Sequence, residues 1–303
     1  MTLETTLGAL RLPNPVMPAS GVFGFGHEMA RFYDLNQLGA IVHKGSTREA
    51  RYGNPTPRIA ECSEGMLNAI GLQNPGMRTV IAEEIPRLRA VYGGTIIANI
   101  SGFSIEEYVE TAAFFDQCED IAILEVNISC PNVKHGGMAF GTTPEGAAEV
   151  CRQVKAVCRK PIYMKLSPNV TDIAAIAAAC EAAGADGLTL INTLLGMVID
   201  PRTLKPVVST KMAGFSGPAI RPVALRMVYQ VYERVRIPII GVGGIADADD
   251  VLAFLAAGAR AVQIGAQTLV DPWACPRIIE ALPSKLAEHG YKRLEEVIGI
   301  AHR

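Results

Sequence analysis

Two lysines, Lys44 and Lys165, each stand at the end of a short apolar run, and Cys130 closely follows another in Asn127-Ile-Ser-Cys130-Pro-Asn132. A lysine so placed must face solvent, an anion or a cofactor, because burying it unpaired is costly. One of them forming a Schiff base would make the chain an aldolase; two fixed positive charges equally suit an anionic cofactor, and residue types alone leave both open. Cys130 reads either as a buried structural thiol or as a reactive group at the mouth of a site, on a Gly-rich polar segment able to close over it. His135 in that segment has no identifiable Asp or Asn to orient it, so a protease-like Cys/His dyad is rejected. Further runs end in Ser20-Gly21, Gly45-Ser46, Asn99, and Asn192-Thr193. Together these side chains supply amide donors and acceptors with fixed charge, a set that holds a planar polar ring.

Such residues make a site only if the elements carrying them converge. Apolar runs at 15–19, 40–44, 95–100, 123–129, 161–166, 187–192, 238–242 and 261–265 read as strands. Most are continuously apolar rather than alternating, as in parallel strands covered on both faces. Helical segments come between them: 104–118 opens with Ser104 and Glu107 in capping-box spacing, 143–157 has Pro144 in its first turn, 172–183 stops at Gly184 and 247–257 at Gly258. About eight βα units predict an α/β fold, a (β/α)8 TIM barrel, with a doubly wound open sheet as the weaker alternative. A hairpin at 3–12, with Gly8 at its turn, and an insertion at 194–217 stand outside the alternation. Barrels place their chemistry at the C-terminal strand ends, where the polar residues above fall. Gly243-Gly244 and Gly265-Ala266 follow the last two strands, where barrels commonly bind phosphate through backbone N–H groups, so a phosphate-bearing cofactor or substrate is expected.

The whole chain, 303 residues with 49% hydrophobic residues, carries 28 Lys+Arg against 30 Asp+Glu. A net charge of −2 provides no basic field for nucleic acid and no polybasic patch for an anionic membrane. Seven scattered cysteines, Cys62, Cys118, Cys130, Cys151, Cys158, Cys180 and Cys275, include no Cys-x-x-Cys pair for zinc or an iron–sulfur cluster, which reads as a reduced, cytoplasmic chain. No signal-peptide pattern and no membrane-length apolar run is visible. Residues 1–303 read as a single barrel domain.

The segments PASGVFGFG (18–26), GNPTPR (53–58), NAIGLQNPG (68–76), NISCPNVKHGGMAFG (127–141), KLSPN (165–169), INT (191–193), GFSGPAI (214–220), GVGGI (241–245) and VQIG (262–265) resemble dihydroorotate dehydrogenase in that family's order, over nearly the whole chain. The resemblance implies an FMN-containing (β/α)8 barrel oxidising dihydroorotate to orotate in pyrimidine biosynthesis. It would make Cys130 the general base taking a proton from carbon 5, while hydride from carbon 6 goes to the flavin. Lys165 would lie against the flavin's pyrimidine end and stabilise its reduced anion, with Lys44 between flavin and substrate. Asn68, Ala69, Ile70, Gly71, Leu72, Asn127, Asn192 and Thr193 would hold the substrate. Ser20, Gly21, Gly45, Asn99, Asn127, Ile191 and Gly217 would line the flavin, and Gly243, Gly244, Gly265 and Ala266 its phosphate. Ala266 departs from the hydroxyl many relatives place there, which puts only a side-chain phosphate contact in doubt.

The stretch 134–141 resembles the class 1B, NAD-linked type, whose catalytic subunit works beside an iron–sulfur flavoprotein. The fumarate-linked class 1A homodimer usually has a different loop and is the alternative; the quinone-linked class 2 carries a membrane helix. Since this sequence shows neither a dinucleotide-binding βαβ nor a cysteine cluster, NAD would be reached through a partner. The expected assembly is a homodimer of this chain joined by subunits carrying FAD and a [2Fe-2S] cluster.

Overall fold

The computed structural model describes residues 2–129 and 140–303. Eight parallel strands form one nearly closed sheet: in chain order Val16–Pro18, Ile41–Val42, Ile96–Ile100, Ile121–Asn127, Ile162–Lys165, Gly187–Leu190, Ile239–Val242 and Ala261–Ile264. The sheet runs in sequence order from the second strand to the eighth, which pairs with the first. Across the remaining seam the Gly39 N–H donates to the Val16 carbonyl at 2.9 Å. This is the expected TIM barrel. Seven of the eight strands are buried at every position and the fourth at all but one, which is why their sequences run continuously apolar.

Helix starts follow their local chemistry. Ser104 Oγ accepts the Glu107 N–H at 3.3 Å and the Glu107 carboxylate reaches back to the Phe103 N–H at 2.7 Å, so helix Ile105–Asp116 begins where the capping pair predicts. Thr143, Asp172 and Asp247 cap helices Pro144–Val157, Ile173–Ala182 and Ala248–Ala256 in the same way. Between the strands and this helical coat lies the main apolar core. A second core fills the lower barrel: Met17, Val42, Ile97, Ile123, Tyr163, Ile240 and Ala261 pack with Leu7 and Leu12 of the N-terminal hairpin. Each buried leucine contributes roughly 1.5–3 kcal/mol, so the hairpin (Thr5–Leu7 with Leu10–Leu12) closes the barrel floor. Among the described residues no helix is long and apolar enough to cross a membrane.

The structure departs from the sequence expectations at the upper rim. Several strands stop one or two residues short of their predicted ends, leaving Lys44, Ser129 and Asn192 beyond the ladder, free to project into the mouth. The insertion at 194–217 is not an isolated excursion. Its strands Leu194–Gly196 and Ala213–Ser216 join an unanticipated hairpin, Ile59–Cys62 with Gly65–Asn68, in a four-stranded antiparallel sheet. Leu67, Val208 and Ala213 form a small core beneath it. Both contributors follow C-terminal ends of barrel strands, so the sheet stands on the same side as the polar rim.

Directly after the second strand, His43 is fully buried between the Phe25 and Phe115 rings, each 5.8 Å away. Its Nδ1 donates to the Lys44 carbonyl at 2.7 Å, leaving Nε2 without a partner among the described residues. Burial pushes the imidazole down to about 4, against the raising effects of the Lys44 carbonyl and the Glu125 charge. An unfolded histidine protonates near pH 6.5. Between those values the unfolded chain therefore binds more protons, and stability present above pH 6.5 is lost as pH falls, by up to about 3 kcal/mol. Urea unfolding at pH 7.5 and 5 should show that loss in the wild type and a flatter dependence in His43→Gln; equal slopes would contradict it.

Candidate active site

Strand alternation sorts the barrel interior into layers. Below are the apolar residues of the floor; one step up, on the same faces, stand Asn99, Glu125, Lys165 and Gln263, all buried. Lys165 Nζ donates to Glu125 Oε1 at 3.1 Å, Gln263 Oε1 at 3.2 Å and Ser20 Oγ at 3.4 Å. Glu125 Oε1 also accepts Asn99 Nδ2 at 2.7 Å, and Oε2 accepts Gln263 Nε2 at 2.5 Å. Burial alone would push the Glu125 carboxyl up. The Lys165 ammonium and the Gln263 and Asn99 amides outweigh it and hold the carboxyl below its usual range. An ammonium donating to three acceptors has no lone pair to offer, which argues against the Schiff-base reading of Lys165.

Above this layer Asn127 and Asn192 orient one another. Asn127 Nδ2 donates to Ser101 Oγ at 3.1 Å, and its Oδ1 accepts Asn192 Nδ2 at 3.3 Å. The Ser129 hydroxyl is bonded to both asparagines. Asn192 Oδ1 takes the Thr193 N–H at 2.8 Å, and Thr193 lies against Gly214 of the inserted sheet, which pairs with Asn68. The segment 69–72 is tied down by its carbonyls. Asn54 donates to Ala69 O and Ile70 O at 2.9 Å each, and Asn74 Nδ2 to Leu72 O at 2.7 Å. Asn74 Nδ2 also reaches Thr47 Oγ1 at 2.8 Å, while its Oδ1 accepts the Thr47 and Gly76 N–H groups. Leu72 and Asn99 both come to Gly45.

On the far rim Gly243 faces Ile191 and Gly244 faces Gly217. Gly244 has φ +74°, and a Cβ there would sit 2.8 Å from the Gly217 carbonyl, so the backbone must stay bare. Asp250 accepts the Ala246 N–H at 2.9 Å and pairs with Arg221 at 2.5 Å, bracing this turn. A Cβ on Gly21 or Gly265 would meet nothing within 4 Å: the chain borders open space there. Lys44 has no ion-pair partner among the described residues; burial, then the Arg58 and Lys165 charges, lower its ammonium below the ordinary value. Lys44 thus stands among cations, with Lys165 alone paired to Glu125 below, an arrangement that suits an anion.

Cys130 and the rest of 131–137, His135 included, lie outside the described residues. The six other cysteines form no disulfide. Burial pushes Cys151 and Cys158 up to about 12, Cys180 and Cys275 higher still, and Cys118 upward, so these thiols stay protonated and inert. Sequence reasoning missed Glu125, Gln263, Asn74 and Arg58 as site residues; Ser101, a polar strand end beside Asn99, was within its reach. A signal existed for the first: a glutamate inside an apolar strand demands a buried partner.

A family model described as dihydroorotate dehydrogenase matches residues 2–286. The chain is 57% identical over 297 residues to the dihydroorotate dehydrogenase B (NAD(+)), catalytic subunit, of Geobacillus sp. (strain WCH70), covering 98% of this chain and 95% of that protein. The same identity and coverage hold for the protein of that name from Anoxybacillus flavithermus (strain DSM 21510 / WK1). The one from Shouchella clausii (strain KSM-K16) is 55% identical, over 98% of this chain and 97% of that protein.

Asn74 satisfies two donors and two acceptors from one buried amide. Asn74→Ala should lower the unfolding free energy by about 2–3 kcal/mol, because the groups it leaves behind stay dry; denaturant titration with an unchanged m value is the check.

Proposed function

The chain belongs to the dihydroorotate dehydrogenase family, and on that premise we propose that it oxidises dihydroorotate to orotate in pyrimidine biosynthesis as the catalytic subunit of an NAD-linked enzyme. The observation that carries the reading is the 57% identity over 98% of the chain to catalytic subunits of that name. The polar rim supports it independently: interlocked asparagine amides match a ring of amide and carbonyl groups, and an excess of cations matches a carboxylate.

Residues 1–303 act as one FMN-binding barrel unit. The chain's geometry fits that cofactor. Gly21 and Gly265 border open space, Gly243 and Gly244 offer bare backbone for a phosphate with Ala266 beside them, and Ser20, Gly45, Asn99, Asn127, Ile191 and Gly217 line the same mouth. When bound, FMN supplies the acceptor for the hydride from carbon 6. Lys165, anchored from below, presents positive charge to the cofactor's pyrimidine end. Lys44, unpaired and next to Arg58 and Lys165, faces cofactor and substrate together. Asn68, the braced backbone of Ala69, Ile70, Gly71 and Leu72, and the amides of Asn127 and Asn192 with Thr193 orient the substrate. Cys130, which follows Ser129 in the chain, removes the proton from carbon 5. An ordinary thiol is mostly protonated at neutral pH, so cofactor reduction should speed up as pH rises toward the thiol's ionisation.

In the cytoplasm this chain pairs with a second copy and with subunits bearing FAD and a [2Fe-2S] cluster, which carry electrons to NAD. The relatives' name, catalytic subunit, supports a partner. Exposed apolar side chains on the insertion, Leu195, Met197, Ile199, Leu204 and Met212, supply surface that subunits cover.

Cys130→Ala should leave FMN bound and slow its reduction by dihydroorotate about 10²-fold or more in single turnovers, the loss expected for a general base; unchanged reduction would remove Cys130 from that role. The isolated chain should be yellow, release FMN on denaturation, and fail to reduce NAD. A colourless chain that cannot be reconstituted refutes the cofactor, and efficient fumarate reduction by this chain alone would replace the NAD-linked reading.

A further inference from the structure

The interior charge layer holds more structure than the reaction requires. Lys165 alone could present its ammonium to a cofactor, yet Glu125 is aimed at it from the neighbouring strand with no access to solvent. Glu125 is too deep to meet substrate: it stands one strand step below Asn127, and its oxygens are occupied by Lys165, Asn99 and Gln263. Gln263 serves both ends, donating to Glu125 and accepting from Lys165, so the ammonium is clamped at two of its three hydrogens. The third runs to Ser20 Oγ at 3.4 Å, the longest of the set, and is the one a ligand atom would take over.

We propose that Glu125, locked by Gln263 and Asn99, is a positioning residue and built-in counter-charge for Lys165. It aims the lysine's remaining hydrogen at the cofactor and cancels enough of its charge to set how strongly a reduced, anionic ring is favoured. This rests on the reading that Lys165 lies against FMN. The titratable groups around the pair are Lys44, whose ammonium feels both Lys165 and Arg58, and buried His43, neutral near pH 7, which feels Glu125. None of them is a second anion. Removing the Glu125 charge therefore leaves the layer net positive while Lys165 stays protonated. Burial without a counter-charge also drives an ammonium toward its neutral form, so the potential without Glu125 gains a dependence on pH.

The experiment is a spectroelectrochemical titration of bound FMN across pH, with FMN dissociation constants from fluorescence, on the purified holoprotein. Glu125→Gln should move the midpoint potential positive near neutral pH, relative to wild type, and add a pH-dependent segment to the potential. In a Lys165→Met background the same substitution should shift neither. Gln263→Glu, which adds an anion to the layer and does not require the Glu125 site to be refilled, should move the potential negative. Wild-type potential and pH slope in both Glu125→Gln and Gln263→Glu would overturn the proposal, as would a Glu125→Gln shift that persists without Lys165. A wild-type chain that binds no FMN would instead defeat the underlying reading, so the two failures are distinguishable.

Discussion

A lysine ammonium inside a closed barrel needs a counter-charge, and the Lys165–Glu125 pair is the constraint around which the upper barrel is arranged. Taking both ions out of water costs several kcal/mol each, recovered only if the geometry is good and the remaining lone pairs and hydrogens are satisfied. Gln263, Asn99 and Ser20 complete that account from three other strands or their ends. The layer is thus polar, dry and fully hydrogen-bonded at the groups that matter. It separates an apolar floor, sealed by Leu7 and Leu12, from a mouth whose cations outnumber its carboxylates.

On that platform the rim is assembled from chain segments that have no fold of their own. The 69–76 segment depends on Asn54 and Asn74 for its carbonyls, and the inserted sheet needs both the hairpin after the second strand and the excursion after the sixth. Neither part could bury its apolar side alone, because an isolated two-stranded hairpin is marginal in water. Their union brings Asn68 to Gly214 and Thr193 to the same place, linking two groups of residues that the family resemblance assigns to substrate.

Much of this was legible in the residues themselves. Continuous apolar runs identify the eight strands, cap chemistry at Ser104, Thr143, Asp172 and Asp247 identifies helix starts, and polar strand ends mark Ser20, Lys44, Asn127, Lys165 and Asn192 as mouth residues. Local physics suffices there, since a cap or a buried strand is decided within a few residues. Local physics does not reach Glu125, whose partners lie on other strands, or Asn74, whose partners are loop groups around Thr47, Leu72 and Gly76.

What the sequence by itself determined is the order and kind of the elements and which strand ends carry polar chemistry, because side-chain type and alternation act over short range. Only the tertiary structure decided that Glu125 meets Lys165, 40 positions away, and Gln263, 138 positions away, and that two separate insertions make one sheet. Those meetings depend on the register and closure of the barrel, which fixes which residues share an interior layer, and no single strand's pattern contains it.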